Sequence, residues 1–480
     1  MKKLFTILLL AITIYSFSQN TFRGFIDSVY SIEDPVARAA YVESFEGYAD
    51  TSTTPIIEGD TAYFIYGGPA TSVSVAGDFN GWGDPAPWNL IHIPYTYLFF
   101  YGHYFEPTAR LDYKLIVDGN WILDPGNPNT VSGGYGPNSE FAMPGYVQPW
   151  EIEDIPSVPN GTLESFNLTS SSLSKTFNIQ VYTPPGYDEG AGKSYPTVYV
   201  HDGHEYISLA NMDHVLDNLI DSNKIDPVIA VFIRPIDRNS EYAFLERNFY
   251  AEFVSQEIVP HIDENYLTLA DKDYRLTLGA SFGGNISGII AYNYPDVFAN
   301  TGWHSPALWP NSLEVANLYA NNYKDIKIFY NVGAYEDLGV DWSWFESSLQ
   351  AQGYEYANDE KYEGHSWGFW RATIDDILEY FFPAGSAPVS THAPLANSVV
   401  EIYNYPNPFT DKTSIVISSQ FEGTLELRLY SNTGQLLHSE NVQHNTESVV
   451  EFDGSLLPSG VYFYQINTNN ESFIGKMIKN

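Results

Sequence analysis

The chain has no cysteine among its 480 residues. That absence excludes disulfides, thiolate metal sites, a cysteine nucleophile and a lipid-anchoring cysteine, so each domain must stand on its core alone. Positive charge is scarce: 22 Lys and Arg face 59 Asp and Glu, a formal net charge of −37. A field of that sign repels phosphate backbones, which excludes nucleic acid as a partner and leaves neutral polysaccharides and their esters acceptable. Apolar runs of membrane-spanning length are missing too. The run over residues 4–14, after Met1-Lys2-Lys3, is too short for a bilayer and predicts a signal peptide over 1–18, hence export and no transmembrane segment.

What the chain has in surplus is aromatic side chains, 16% of residues, which suits β-rich cores and sugar-stacking surfaces alike. At about 100 to 200 residues per domain, the length predicts roughly three domains. Residues 19–55 carry apolar side chains at helical spacing, broken at Asp34-Pro35, and predict a helical lead-in of two helices. From Thr61 the period changes to alternation, as in Ala62-Tyr63-Phe64-Ile65-Tyr66, and 56–149 is expected to be a β-sandwich. Over 161–382 strands alternate with helices: strands at 177–182, 197–200, 228–233, 275–278 and 326–332, helices at 249–266 and 341–352. Short continuous apolar strands between helices predict a largely parallel sheet covered on both faces, an α/β domain. A Pro/Ser/Ala-rich linker over 383–400 leads to a second, smaller β-sandwich over 401–480, with strands at 414–418, 425–430, 448–452 and 460–467 and turns at Asn432-Thr433-Gly434 and Pro458-Ser459-Gly460.

The chemistry concentrates at Gly279-Ala280-Ser281-Phe282-Gly283, a GxSxG between a short apolar strand and a helix. A strand-to-helix turn holds its serine strained and exposed, and small flanking residues let a carbonyl approach. A serine hydroxyl is a poor nucleophile at neutral pH and needs a histidine base, itself fixed by a carboxylate. In α/β-hydrolases the chain order is serine, acid, histidine. His365, in Gly364-His365-Ser366-Trp367 before the last helix of that domain, is the candidate base. The acid is expected just after strand 326–332, where Glu336 is preferred and Asp337 is the alternative. The oxyanion donors are expected to be the amide of Phe282 and that of Gly203 or His204, which end an earlier strand. His201-Asp202-Gly203-His204-Glu205 matches neither HExxH nor HxxEH, so no metal and no cofactor is expected. His304 is expected to line the pocket or cap a strand, and the loops around Trp303 to Trp309 and Trp367 to line the acyl pocket.

These motifs, with Arg238-Asn239-Ser240-Glu241-Tyr242, Glu257-Ile258-Val259-Pro260 and Trp370-Arg371, resemble the esterase family that contains enterochelin esterases, esterase D and the carbohydrate esterases releasing ferulic or acetic acid from xylan. The resemblance implies an α/β-hydrolase in which Ser281 is nucleophile and His365 base. Ala76-Gly77-Asp78-Phe79-Asn80-Gly81-Trp82 and 113–121 look like the immunoglobulin-like sandwich of carbohydrate-binding module 48, with Trp82, Trp121 and alternatively Trp88 as sugar-stacking residues. Tyr405-Pro406-Asn407-Pro408-Phe409 and Leu457-Pro458-Ser459-Gly460-Val461-Tyr462-Phe463 resemble the type A C-terminal sorting domain of type IX secretion. That resemblance implies a Bacteroidetes-type cell, the type IX machinery as partner, and a secreted or surface-held product. The expected activity is a secreted serine esterase removing feruloyl or acetyl groups from polysaccharide esters. The alternatives are a siderophore esterase and a non-catalytic glycan-binding surface protein.

Overall fold

A computed structural model describes residues 21–46, 54–133, 136–188, 193–387, 401–418, 423–431, 435–445, 447–467 and 472–480. The expected signal peptide, most of the linker and the Asn432-Thr433-Gly434 turn lie outside them. The chain divides into two compact units, one ending at Pro388 and the other built from 389–480 with the short stretch Asp188–Ser194.

The first unit begins with helices Phe22–Ser31 and Pro35–Glu46, separated where Asp34-Pro35 forbids continuation. Thr21 caps the first, its hydroxyl accepting from the Gly24 amide. Phe22, Phe25, Ile26 and Val29 form one face, which covers Ile65, Leu98 and Phe100 on the outside of a sheet. That sheet pairs Ile56–Glu58, Thr61–Gly67, Leu98–Tyr104 and Ile91–His92, all antiparallel. A second antiparallel sheet runs Trp88–Asn89, Val73–Gly77, Arg110–Val117, Asn138–Ala142, Thr130–Val131, with Asn120–Ile122 paired to Arg110–Val117. Alternation puts Phe64 and Phe99 of one sheet and Val75, Leu111, Tyr113 and Phe141 of the other into a shared core.

The α/β domain is an eight-stranded sheet in the order Thr162–Thr169, Thr176–Thr183, Ile229–Ile233, Thr197–His201, Arg275–Ala280, Asn300–His304, Lys327–Gly333, Glu355–Lys361. Thr176–Thr183 pairs antiparallel with both of its neighbours, and all the other pairs are parallel. Central strands such as Thr197–His201, Ile229–Ile233 and Arg275–Ala280 are buried along their whole length, as a sheet with helices on both faces requires. The expected helix over 249–266 is present as Arg247–Phe253 and Val259–Asn265, joined by a π-turn at Val254–Ile258. Three strands have weaker sequence signals than the rest. Thr162–Thr169 and Glu355–Lys361 are edge strands with polar, exposed patterns, and Asn300–His304 is short and opens on Asn and Thr. The start of the expected linker is part of this unit: the amides of Gly385 and Ala387 donate to the Asp226 carboxylate.

The second unit carries a three-stranded sheet, Glu401–Tyr405, Lys412–Ser418 and Glu447–Asp453, and a four-stranded sheet, Leu436–His444, Gly423–Ser431, Gly460–Asn467 and Ser472–Lys479. Ile415, Ile417, Leu425, Leu427, Leu429, Tyr464, Ile466 and Met477 fill its core.

Candidate active site

Ser281 sits between strand Arg275–Ala280 and helix Phe282–Asn293 with φ 56° and ψ −117°, a conformation a residue with a side chain adopts only under constraint. The constraint is visible: the Ser281 amide donates to His304 O at 2.9 Å on the neighbouring strand, and its carbonyl accepts from Asn285 and Ala307 at 3.1 and 3.0 Å. Glycine is obligatory at Gly279, where a Cβ would stand 2.4 Å from the Gly283 carbonyl, so strand end and helix start approach to backbone contact.

Glu336 follows strand Lys327–Gly333 and His365 follows strand Glu355–Lys361, so both stand at the same carboxyl edge as Ser281. His365 Nδ1 lies 2.6 Å from Glu336 Oε2, and the other Glu336 oxygen accepts the Gly333 amide at 2.6 Å. The Glu336 carboxylate is 3% exposed and the His365 ring 36%, a fixed acid holding an accessible imidazole. With Nδ1 engaged, Nε2 is the nitrogen free to act as base. The His365 ring meets the Trp370 ring edge-on at 5.1 Å, and Trp370 Nε1 donates to Ser305 Oγ, just beyond the strand beside Ser281. Asp337 is exposed, and its carboxylate accepts the Gly339 amide instead of facing His365.

The amide of Phe282 opens its helix and those of Gly203 and His204 open helix Gly203–Ser208, so none has an intrahelical acceptor. A Cβ on Gly283 would lie 3.3 Å from Asp202 Oδ2, which sets the two helix starts side by side. Asp202 does not cap its own helix because Arg238 takes its carboxylate, with Nε at 2.9 Å and Nη2 at 2.8 Å, while Nη2 also donates to the Ala280 carbonyl. This brace ties the loop at Asp202-Gly203 to the turn at Ser281 and was not foreseen from sequence, although Arg238 opens the Arg238-Asn239-Ser240-Glu241-Tyr242 motif.

Several expected lining residues are elsewhere. Trp303 and His304 lie within a fully buried strand: Trp303 packs in the core with Nε1 donating to Thr301, and His304 is held by the Tyr206 hydroxyl and the Thr373 carbonyl. Burial pushes the His304 imidazole down to about 4, so it stays neutral. Trp367 is also buried, edge-on to Tyr206. His201, a residue of the excluded metal motif, is held by Thr277 and Tyr250 and pushed down to about 3 by burial. Phe282, next in sequence to Ser281, packs with Phe244 and with Trp309 of the expected lining loop, with ring centroids 5.4 to 6.3 Å apart; Phe244 and Trp309 are partly exposed. In the sandwich, Trp82 stacks against Trp121 at 6.5 Å with Trp121 half exposed, whereas Trp88 is half-buried against Phe79 and His103.

Residues 170–381 match the family described as "Putative esterase", and 403–480 match the secretion system C-terminal sorting domain. An uncharacterised protein of Bacillus subtilis is 25% identical over 237 residues, 46% of this chain and 97% of its own. An endo-1,4-beta-xylanase/feruloyl esterase of Xylanibacter ruminicola is 27% identical over 286 residues, 56% of this chain; the match spans 38% of that relative's length. Among solved structures, the ferric enterobactin esterase of Salmonella typhimurium aligns with a TM-score of 0.61 at 19% identity, covering 70% of this chain and 98% of that one. The enterobactin esterase of Shigella flexneri aligns at 0.57 and 20% identity, covering 67% and 92%. At these identities the likeness is one of fold.

Proposed function

We propose that this chain, a carboxylic ester hydrolase whose residues 170–381 belong to the esterase family and whose C-terminal domain directs its secretion, removes acyl groups from polysaccharide esters through an acyl-enzyme on Ser281. The observation that carries the reading is the convergence at one sheet edge of a strained serine, a 2.6 Å His365–Glu336 pair and two uncapped helix starts. His365 Nε2 takes the Ser281 proton as Oγ attacks the ester carbonyl, and the amides of Phe282 and Gly203 or His204 receive the developing oxyanion. The same imidazole, now protonated, gives that proton to the sugar oxygen as its bond to the acyl carbon breaks, and the sugar leaves as an alcohol. Water then attacks the acyl-enzyme with His365 again as base, freeing the acid and restoring Ser281.

A hydroxycinnamoyl group such as ferulate is favoured as the acyl part, because Phe244, Phe282 and Trp309 offer ring faces beside the nucleophile. A glycan carrier is favoured by the secretion domain and by the half-exposed Trp82–Trp121 stack, and the charge of −37 is compatible with a neutral one. Incubation with feruloylated arabinoxylan and acetylxylan, with the released acid identified, tests this reading. Release of ferulate by the parent and none by Ser281→Ala is expected; release by Ser281→Ala at the parental rate would refute it.

One observation favours a second substrate. The likeness to enterobactin esterases covers 67 to 70% of this chain and 92 to 98% of those chains. A siderophore trilactone is therefore the second ester to offer. Its cleavage, with no acid released from either glycan, would replace the polysaccharide reading.

A further inference from the structure

The sandwich is joined to the two loops that carry Glu336 and His365 by a buried ionic cluster centred on Arg110. Arg110 is 2% exposed, and every branch of its guanidinium is engaged. Nε donates to Glu140 at 3.0 Å and Nη2 to Asp112 at 2.7 Å, both within the sandwich. Nη1 crosses to the α/β domain and donates to Glu363 Oε2 and Ser366 Oγ, each at 3.2 Å. Those two residues flank Gly364-His365. The Arg110 amide also donates to the Tyr362 carbonyl at 3.1 Å, so strand and loop are joined by backbone as well.

The fit leaves no slack. A Cβ on Gly368 would stand 2.0 Å from the Arg110 guanidinium, and one on Gly364 2.0 Å from the Asp78 carboxyl carbon. Asp78 is buried, held by the Asp112 amide and the Trp82 indole, so the sandwich turn bearing Asp78 seats directly against the residue before His365. The acid loop is attached to the same point: the Tyr335 amide donates to the Glu363 carbonyl, and Gly333 packs on that carbonyl. A second strut runs from the Tyr335 hydroxyl to Glu106 of the sandwich.

We infer that Arg110 is a positioning residue for the reaction, and that the sandwich serves as the fixed wall against which the His365 and Glu336 loops are set, in addition to any glycan contact it makes. Arg110 touches neither substrate nor Ser281; it acts through Glu363, Ser366 and the glycines between and beyond them. Its donors are matched to planar carboxylates and a hydroxyl, a pattern that an ammonium on a flexible stem reproduces only in part. Burial raises the Glu363 carboxyl and Arg110 opposes that rise, leaving it at about 7.

The inference rests on His365 and Glu336 being the base and acid proposed above. The test uses the full chain as parent, Arg110→Met, Arg110→Lys and Ser366→Ala, with p-nitrophenyl acetate, active-site titration by a fluorophosphonate, and circular dichroism to establish folding. Expected for folded Arg110→Met is a fall in kcat per titrated site of at least 10-fold with KM within about twofold, partial recovery in Arg110→Lys, and a fall of about two- to fivefold in Ser366→Ala. Unchanged kcat per titrated site in Arg110→Met would overturn the inference, as would a loss fully explained by a smaller titrated fraction. Should Arg110→Met not fold, the decision falls to Arg110→Lys and Ser366→Ala by the same readout, where parental kcat in both overturns it. A parent that neither hydrolyses the ester nor labels would instead sink the proposed function.

Discussion

Glu336 and Asp337 are adjacent in sequence and opposite in use: Glu336 reaches His365 Nδ1 at 2.6 Å, while Asp337 accepts the Gly339 amide at 2.9 Å within its own turn. Replacing Glu336 by Gln keeps the shape and removes the charge that fixes the imidazole tautomer. Its kcat is expected to fall by about 10²- to 10⁴-fold with little change in KM. Asp337→Asn is expected to retain parental kcat. Steady-state kinetics on p-nitrophenyl acetate decides; the reverse ranking would move the acid to Asp337.

The acyl group is tested at Phe244 and Trp309, which flank Phe282 at 5.9 and 5.4 Å. Truncating either ring removes contact area for an aromatic acyl chain and almost none for acetate. Phe244→Ala and Trp309→Ala are each expected to raise KM for methyl ferulate by about 10-fold, the equivalent of about 1.4 kcal/mol, while leaving p-nitrophenyl acetate within about twofold. Equal effects on both esters would show that these rings do not select the acyl group.

Gly203 carries a prediction for the oxyanion donors. A Cβ there would lie 2.5 Å from both Phe232 Cα and Phe232 Cβ, and 2.6 Å from the Ile233 amide, so the backbone of the donor loop has to move to accept alanine. Losing one well-aimed donor costs about 3 to 4 kcal/mol of transition-state stabilisation. Gly203→Ala is expected to lower kcat by about 10²- to 10³-fold while Ser281 still labels with a fluorophosphonate, only more slowly. Parental kcat in a folded variant would remove Gly203 from the site.

How much of this was legible in the sequence depended on whether a signal was local. The placement of Ser281, Glu336 and His365 just past strand ends was readable because each follows a strand in the chain order serine, acid, histidine. Their pairing at one edge follows from the parallel sheet. Trp303 and His304 were misplaced for a physical reason, whereas Trp367 opens the short helix Trp367–Arg371 and is buried there against Tyr206. A buried parallel strand is covered on both faces, so a large side chain near its end points into packing as readily as into a cleft. The edge strands Thr162–Thr169 and Glu355–Lys361 have no apolar run to reveal them. The Arg110–Glu363 contact joins residues 253 apart, beyond the reach of any periodicity, and only the fold discloses that the Asp78 motif turns toward the histidine loop.

Asp375 carries the pH prediction. It lies in the first turn of helix Ile374–Phe381, away from Ser281 in sequence and not bonded to it. Burial, followed by the neighbouring Asp376 and Glu151 carboxylates, pushes its carboxyl up from an ordinary 3.8 to about 7. Between those values the folded chain holds a proton that the unfolded chain has released, so the stability from this group is complete below about 3.8 and is lost as pH rises through about 7. Asparagine keeps the neutral shape at every pH. Asp375→Asn is therefore expected to melt with the parent at pH 4 and about 2 to 5 °C above it at pH 8, the gain growing through the interval. Glu363, raised to about 7 mainly by burial, contributes a loss of the same sign that this substitution leaves in place, so the variant's own melting temperature still declines toward pH 8. Melting curves at pH 4, 6 and 8 measure the difference. A constant offset across the three would mean that Asp375 titrates alike in both states, and a gain confined to pH 4 would reverse the sign and place the carboxylate, not the acid, in the folded protein.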